Sequence, residues 1–346
     1  MEQLRQLTDV LLLSANQGEL DDAALKLHAL LSLISGMNND REDSSDSLSI
    51  VLPIGEAISP RDAARCLVDS ARTAKFLRGI SAALLAARQR FPDGPVEILY
   101  AGCGPFATLA IPLTTRFKAD QIRFTLLDIH ARSLESARRV IEAFGMEDYV
   151  LQYVQSEAAS YVHPRPLHMV ITETMQKALS KEPQVAITLN LAPQLCPGGI
   201  FIPERVTIDA YLCAPDKEPV PGSRDRDETA SATRRAGGAR VKLGRVFELT
   251  AENAIGLAKM SGQGRRYAEA YLLAAAIDLP KEITEGLRLA LSTTITVFEM
   301  MTLGEYESGL THPLWFYDFG GAGGAGRIVF QYCLRGEPGF KWQIPV

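Results

Sequence analysis

The chain has no disulfide framework, no metal cluster and no membrane-length apolar run. Its five cysteines (Cys66, Cys103, Cys196, Cys213, Cys333) are odd in number and scattered, with no CxxC pair and no Cys/His group at zinc spacing. They read as reduced, mostly buried thiols. No apolar stretch approaches the ~18–20 residues that cross a bilayer. The start, MEQLRQLTDV, lacks a basic segment followed by a long apolar one, so no signal peptide is expected. Positive charge is not in excess either: 36 Lys and Arg face 41 Asp and Glu, a net charge of -5. That balance argues against a broad basic surface for nucleic acid. The expectation is a cytoplasmic protein with neither nucleic-acid nor membrane partners.

What is there fits an ordinary globular protein, with 47% hydrophobic and 22% charged residues. At ~100–200 residues per domain, 346 residues suggest two domains and a small extra element. Leu4, Leu7 and Leu11, then Leu25, Leu27, Leu30, Leu31 and Ile34, predict two helices broken at Asn16-Gln17-Gly18. A hairpin this short must lay its apolar stripe on the main body or on a second subunit. Gly36 to Ser47 is polar, acidic and Ser-rich, and reads as a solvated linker. Ser59 and Pro60 then open a helix expected to run through Arg72 and Phe76 towards Arg88.

From Val96 to Ile202 strand-like and helix-like segments alternate. Strands are expected at 96–100, 123–128, 149–154, 168–172 and 200–202, with helices up to Ile111, over 133–144 and over 182–195. This pattern predicts an α/β fold with a mostly parallel sheet. After Pro203 the alternation stops. Strands are expected over 206–212, 293–301 and 327–334, helices over 268–277 and 283–291, and a long loop over 215–240. The segment GGAGGAG (320–326) lacks the Lys-Ser/Thr of a phosphate loop, so it reads as a hairpin connection.

Gly102-Cys103-Gly104 follows a strand, where a side chain would block a ligand lying across the strand end. Asp128 ends the next strand about 24 residues on, placed to accept from ribose hydroxyls, and Glu157-Ala158 follows the third. This set resembles class I S-adenosylmethionine-dependent methyltransferases over roughly 96–202. It departs from them at Tyr100, where the family often has an acid, and at Phe106, where it has a third glycine. A dinucleotide dehydrogenase is the competing reading, but GCGPFA misses the last glycine of GxGxxG.

The segment 172–182 contains Glu173 and Glu182, nine positions apart, with Met175 two residues after the first. It resembles the double-glutamate loop of protein arginine N-methyltransferases, although Thr174 stands where the family has Trp. Pro197 to Thr207 and Leu67 to Phe76 resemble other stretches of that family, and Thr311-His312-Pro313-Leu314-Trp315 resembles its Thr-His-Trp loop with two residues inserted.

The resemblance implies a Rossmann-like methyltransferase domain over 49–204, a helical N-terminal extension over 1–48, and a mainly antiparallel β-barrel-like domain over 205–346. It implies S-adenosylmethionine as cofactor, held by Arg72, Ala101, Gly102, Cys103, Gly104, Asp128, Ile129, Glu157 and Ala158. It further implies Glu173, Glu182 and His312 as catalytic residues, with Met175 and Trp315 against the substrate. The implied substrate is a guanidino group of free arginine or a related metabolite, with protein arginine as an alternative, and the implied assembly is a homodimer. Two other readings stand beside it: methyl transfer to another small-molecule N or O nucleophile, and a non-catalytic interaction protein that kept the cofactor pocket.

Overall fold

The computed structural model describes residues 1–37, 44–219, 240–260, 271–284, 286–316 and 326–344. The chain begins with helices α1 (Glu2–Leu13) and α2 (Gln17–Ser35). The Asn16 side chain caps α2 by accepting from the Glu19 amide at 3.1 Å, and Gly36 ends the helix at φ +75°. Leu4, Leu11, Leu27 and Leu31 are fully buried.

After a two-stranded hairpin, β1 (Ile50–Leu52) and β2 (Gly55–Ala57), come α3 (Pro60–Arg65) and α4 (Ser70–Arg90). The stripe of α1 and α2 packs on α4 and on the 3-10 turn at 111–115. Arg78 fastens it by donating to the carbonyls of Leu11 (3.0 Å) and Ser14 (2.5 Å). The chain's own body therefore covers Leu4, Leu7, Leu11, Leu27 and Leu31, while Leu25, expected in the stripe, is exposed; the covered stripe provides no reason for a second subunit. Leu27→Ala is expected to destabilise by about 2–5 kcal/mol, whereas Leu33→Ala, 70% exposed on the same helix, stays within about 0.5 kcal/mol. Equal shifts in urea unfolding would mean that the hairpin is not part of the core.

The single helix expected over 60–88 is two. Ser59 caps α3 and Pro60 occupies its first turn, but residues 66–68 tighten into a 3-10 turn. Asp69 restarts the helix as the cap of α4, accepting from the Arg72 amide at 3.2 Å. The break places Arg72 in the first turn of α4.

Strands β3 (Val96–Ala101), β4 (Ile122–Asp128), β5 (Val150–Gln155), β6 (Leu167–Thr172) and β7 (Leu195–Ile202) form a parallel sheet in the order β5-β4-β3-β6-β7. Helices α5 (Ala131–Phe144) and α6 (Gln184–Leu191) are crossovers. The strand order reverses at β3, which leaves a crevice at the carboxyl ends of β3, β4 and β6. The helix expected after the glycine turn does not form: residues 102–110 are turns, with Ala107 at φ +42°, and a 3-10 helix follows over Ile111–Thr115.

The remainder comprises β8 (Arg205–Cys213), β9 (Val241–Thr250), α7 (Ala251–Met260), β10 (Tyr271–Asp278), β11 (Arg288–Phe298), β12 (Met301–Leu303), β13 (Leu314–Phe316), β14 (Arg327–Cys333) and β15 (Gly339–Gln343). The order β12-β11-β8-β9, with β13 added to β11, makes one antiparallel sheet, and β10-β14-β15 makes another. No ladder joins the two among the described residues, which therefore show two antiparallel sheets and no closed barrel.

The helix expected over 268–277 is corrected to a strand from Tyr271 onwards and the one over 283–291 to a strand from Arg288 onwards, with 268–270 and 285 outside the described residues. The alanine- and leucine-rich texture favours helix locally, but pairing of β10 with β14 and of β11 with β8 overrides it. The helical element of this half is α7, which packs on α6. Residues 220–239 of the expected loop and 320–325 of the glycine-rich run lie outside the described residues. The described strands on either side of that run, β13 and β14, belong to different sheets. In the linker over 36–47, residues 38–43 lie outside the described residues. Asp46 beyond them is buried and accepts from Arg132 at 2.9 Å, so that end is docked and not solvated. No described helix is long and apolar enough to cross a membrane.

Candidate active site

A cavity of about 460 Å³ opens at the carboxyl ends of β3, β4 and β6, within the ~300–1,000 Å³ usual for small-molecule sites. Its floor is the turn after β3. Gly102 (φ +72°) and Gly104 (φ +64°) sit in the left-handed region, and a Cβ on Gly102 would come 2.5 Å from Thr174 Cγ2. The Gly102 and Cys103 amides both donate to the Leu127 carbonyl, at 2.8 and 3.1 Å. Gly104 donates to Asp128 Oδ2 at 2.9 Å, and His130 to Asp128 Oδ1 at 2.9 Å. Burial pushes the Asp128 carboxyl up, against the pull of the amides of His130 and Gly104. Asp128 thus ties two loops together while still facing the cavity, which Ile129, Glu157 and Ala158 also line.

The opposite wall is the loop after β6. Glu173 pairs with Arg72, and the two side chains are 5% and 16% exposed. Burial opposes the Arg72 charge, but Cys66, Asp69 and Glu182 outweigh it and its pKa is raised. Glu182 is buried beside the same guanidinium. Burial lifts it to about 7, Arg72 and a hydrogen bond from Gln176 pull it down, and Glu56 adds to the rise. Met175 is buried in the wall.

The antiparallel half holds this loop in shape. Ala178 N donates to Thr293 Oγ1 at 2.9 Å, Tyr332 Oη to the Leu179 carbonyl at 2.6 Å, and Lys181 N to the Pro338 carbonyl at 2.8 Å. Gln184 braces the other end, accepting from Thr174 N and Oγ1 at 3.0 Å each. Ala178, Leu179 and Lys181 all have positive φ, a conformation such bracing sustains.

The raised Glu182 carboxyl has a stability consequence. Between its ordinary 4.5 and about 7, the native state keeps a proton that the unfolded chain has released. The stabilisation is complete below about 4.5 and is lost as pH rises through about 7. Glu182→Gln, permanently neutral, is expected to gain on the wild type in urea unfolding across that interval. A constant difference would contradict the raised ionisation.

Two buried polar atoms of the wall have no partner among the described residues: Glu173 Oε1 and His130 Nε2. Buried acceptors and donors are ordinarily satisfied, so these atoms are suited to ligand contacts. With the glycine cradle and the acid beyond β4, they fit a nucleoside carrying a charged tail.

Of the residues expected from the sequence, Arg72, Gly102, Cys103, Gly104, Asp128, Ile129, Glu157, Ala158, Glu173, Met175 and Glu182 line this one cavity. Ala101 is buried at the end of β3, beneath the wall, not in it. His312 and Trp315 are also outside the wall. His312 ends the 3-10 turn Gly309–Thr311 with its ring 5.9 Å from that of Tyr306, and Trp315 is paired opposite Ala290 and packs near Tyr211 and Cys213. The wall residue from this region is Leu310, because Asp69 accepts from Ser308 Oγ at 2.7 Å and Gly309 N at 3.0 Å and draws that segment in.

Sequence reasoning missed Glu56, His130 and Lys181 as wall residues. His130 could have been found by its place two residues after Asp128. Glu56 had only the Pro53-Ile54-Gly55 turn signal before it.

Among solved structures, the chain is similar to the Trypanosoma brucei PRMT1 enzyme-prozyme heterotetrameric complex with AdoHcy. The identity is 13% and the TM-score 0.45, over 78% of this chain and 86% of that chain. The sequence matches no protein-family model and no curated protein.

Proposed function

We propose that the protein is an S-adenosylmethionine-dependent N-methyltransferase acting on a guanidino nitrogen of free arginine or a related small metabolite. The observation that carries this reading is the meeting of Glu173 and Glu182 at Arg72, across one cavity from the Gly102–Gly104 turn and Asp128. S-adenosylmethionine supplies an electrophilic methyl carbon on a sulfonium cation. Asp128 would accept from the ribose hydroxyls, Glu157 would reach the adenine amino group, and Arg72 would hold the cofactor carboxylate with its planar fork.

The two glutamates answer an electrostatic problem. A guanidinium and a sulfonium ~4 Å apart repel by roughly 4 kcal/mol at an effective dielectric near 20. Glu173 and Glu182 offset that repulsion and grip the guanidinium N–H groups, aiming one nitrogen along the line of displacement. Glu173 Oε1, buried and without a partner, is the acceptor left over for an incoming N–H. Glu182, with its carboxyl near neutrality, takes the proton that the methylated guanidinium releases.

The test is labelled methyl transfer to free arginine and to an arginine-rich peptide. Labelling of free arginine is expected. Labelling of the peptide alone overturns the small-molecule assignment, and labelling of neither overturns the reaction. The homodimer implied by the family resemblance belongs to this reading, through surfaces other than the buried hairpin stripe. Light scattering at micromolar concentration checks it, and a monomer contradicts it.

A further inference from the structure

Two wall residues have no role in the chemistry just described. Glu56 leaves the β1–β2 hairpin and Lys181 belongs to the double-glutamate loop, yet they are adjacent: Glu56 N donates to the Lys181 carbonyl at 2.9 Å. The hairpin is fixed in that position. A Cβ on Gly55, at φ +130°, would come 2.5 Å from the same carbonyl, and Gly336 N donates to the Pro53 carbonyl at 2.8 Å. Neither the Glu56 carboxylate nor the Lys181 ammonium forms a hydrogen bond or ion pair among the described residues, and they do not pair with each other. Glu56 is half-buried and acts electrostatically on Glu182, whereas Lys181 is exposed at the rim.

We infer that Glu56 and Lys181 form a subsite for the zwitterionic end of a free amino acid whose guanidino group lies between Glu173 and Glu182. This rests on the guanidino methyl transfer proposed above. The carboxylate of Glu56 takes the α-ammonium and the ammonium of Lys181 takes the α-carboxylate. One negative and one positive side chain on the same cavity wall, joined through the backbone and without an ion pair among the described residues, complement a zwitterion better than either complements a peptide backbone, which carries neither charge. The glutamates at the reacting end add specificity for the guanidinium, so the wall reads both ends of one small molecule. The buried Glu173 Oε1, which has no partner among the described residues, independently marks the reacting end as built for a ligand.

The experiment compares three acceptors: L-arginine, agmatine (no carboxylate) and 5-guanidinopentanoate (no ammonium). Glu56→Gln is expected to raise KM for arginine and agmatine about 10- to 100-fold more than for 5-guanidinopentanoate, the scale of one charged hydrogen bond. Lys181→Gln is expected to raise KM for arginine and 5-guanidinopentanoate by a similar factor over agmatine. A merely structural role would shift all three acceptors alike. If the wild type transfers methyl groups but each variant treats the three alike, the subsite assignment falls and the reaction stands. If the wild type transfers to none of the three, the proposed reaction falls and the subsite with it. Both substitutions leave the backbone hydrogen bond between the two residues intact, and unchanged circular dichroism of the variants confirms that they fold.

Discussion

Glu182→Gln is expected to lower kcat for methyl transfer about 10²- to 10³-fold, the scale on which a single preorganised electrostatic group acts at a reacting centre. Gln keeps the shape and one acceptor but loses the charge that offsets the second cation. The loss should fall mainly on kcat, because the charge matters most as the two cations close. Glu173→Gln is expected to lose as much. It also weakens the hold on Arg72, whose guanidinium is largely buried, so part of its effect will appear as weaker cofactor binding. Glu182→Gln separates catalysis from folding, since near pH 8 the same variant should unfold at higher urea than the wild type. Turnover nearly intact in Glu173→Gln would point instead to another N or O nucleophile, with different work for the two carboxylates.

Asp128→Ala should abolish measurable binding of the demethylated cofactor in calorimetry, a loss of 10³-fold or more. Two hydroxyl hydrogen bonds to a carboxylate are worth about 1.5–3 kcal/mol each. The substitution also strips the acceptor from the amides of Gly104 and His130, so the turn that should cradle the cofactor loosens. Asp128→Asn keeps one acceptor oxygen and should fall between the two. Cofactor binding unchanged in Asp128→Ala would mean that the cavity does not hold a nucleoside here. Absence of binding in the wild type would favour an interaction protein that kept only the pocket's shape.

Much of the sheet was legible in the residues. Strands β3, β4 and β6 are buried along nearly their whole length and read as continuous apolar runs between polar crossovers. This side of the cavity wall was legible for a related reason: glycines after β3 and acids after β4 and β5 follow from where a parallel sheet ends its strands. The second half was not legible in the same way. The segment 271–278 contains three consecutive alanines and satisfies helix propensity, and only the Tyr271↔Cys333 to Asp278↔Arg327 register makes it a strand. The break at 66–69 was hidden as well, because Asp69 caps a new helix inside a stretch that scans as one.

The active-site loop shows the same division at higher resolution. The spacing of Glu173 and Glu182 was visible, but not that Arg72 would pair with Glu173 and act electrostatically on Glu182, nor that burial would raise Glu182 to about 7. Glu56 sits 125 residues from Lys181 in sequence and reaches it through a hairpin whose signal is a single turn. His312 and Trp315 failed in the opposite direction. Their residue types suggested a site, while β13 pairing and the Asp69 clasp placed them outside the wall.

By itself, then, the sequence determined the parallel sheet, the glycine turn and the acids at its strand ends, because hydrophobic period, apolar run length and turn chemistry are local properties of the chain. The tertiary structure alone decided which distant side chains share one cavity, which of them are charged there, and whether an alanine-rich segment pairs as a strand. Those outcomes depend on long-range packing and on the water it excludes, and neither is encoded in any short stretch of residues.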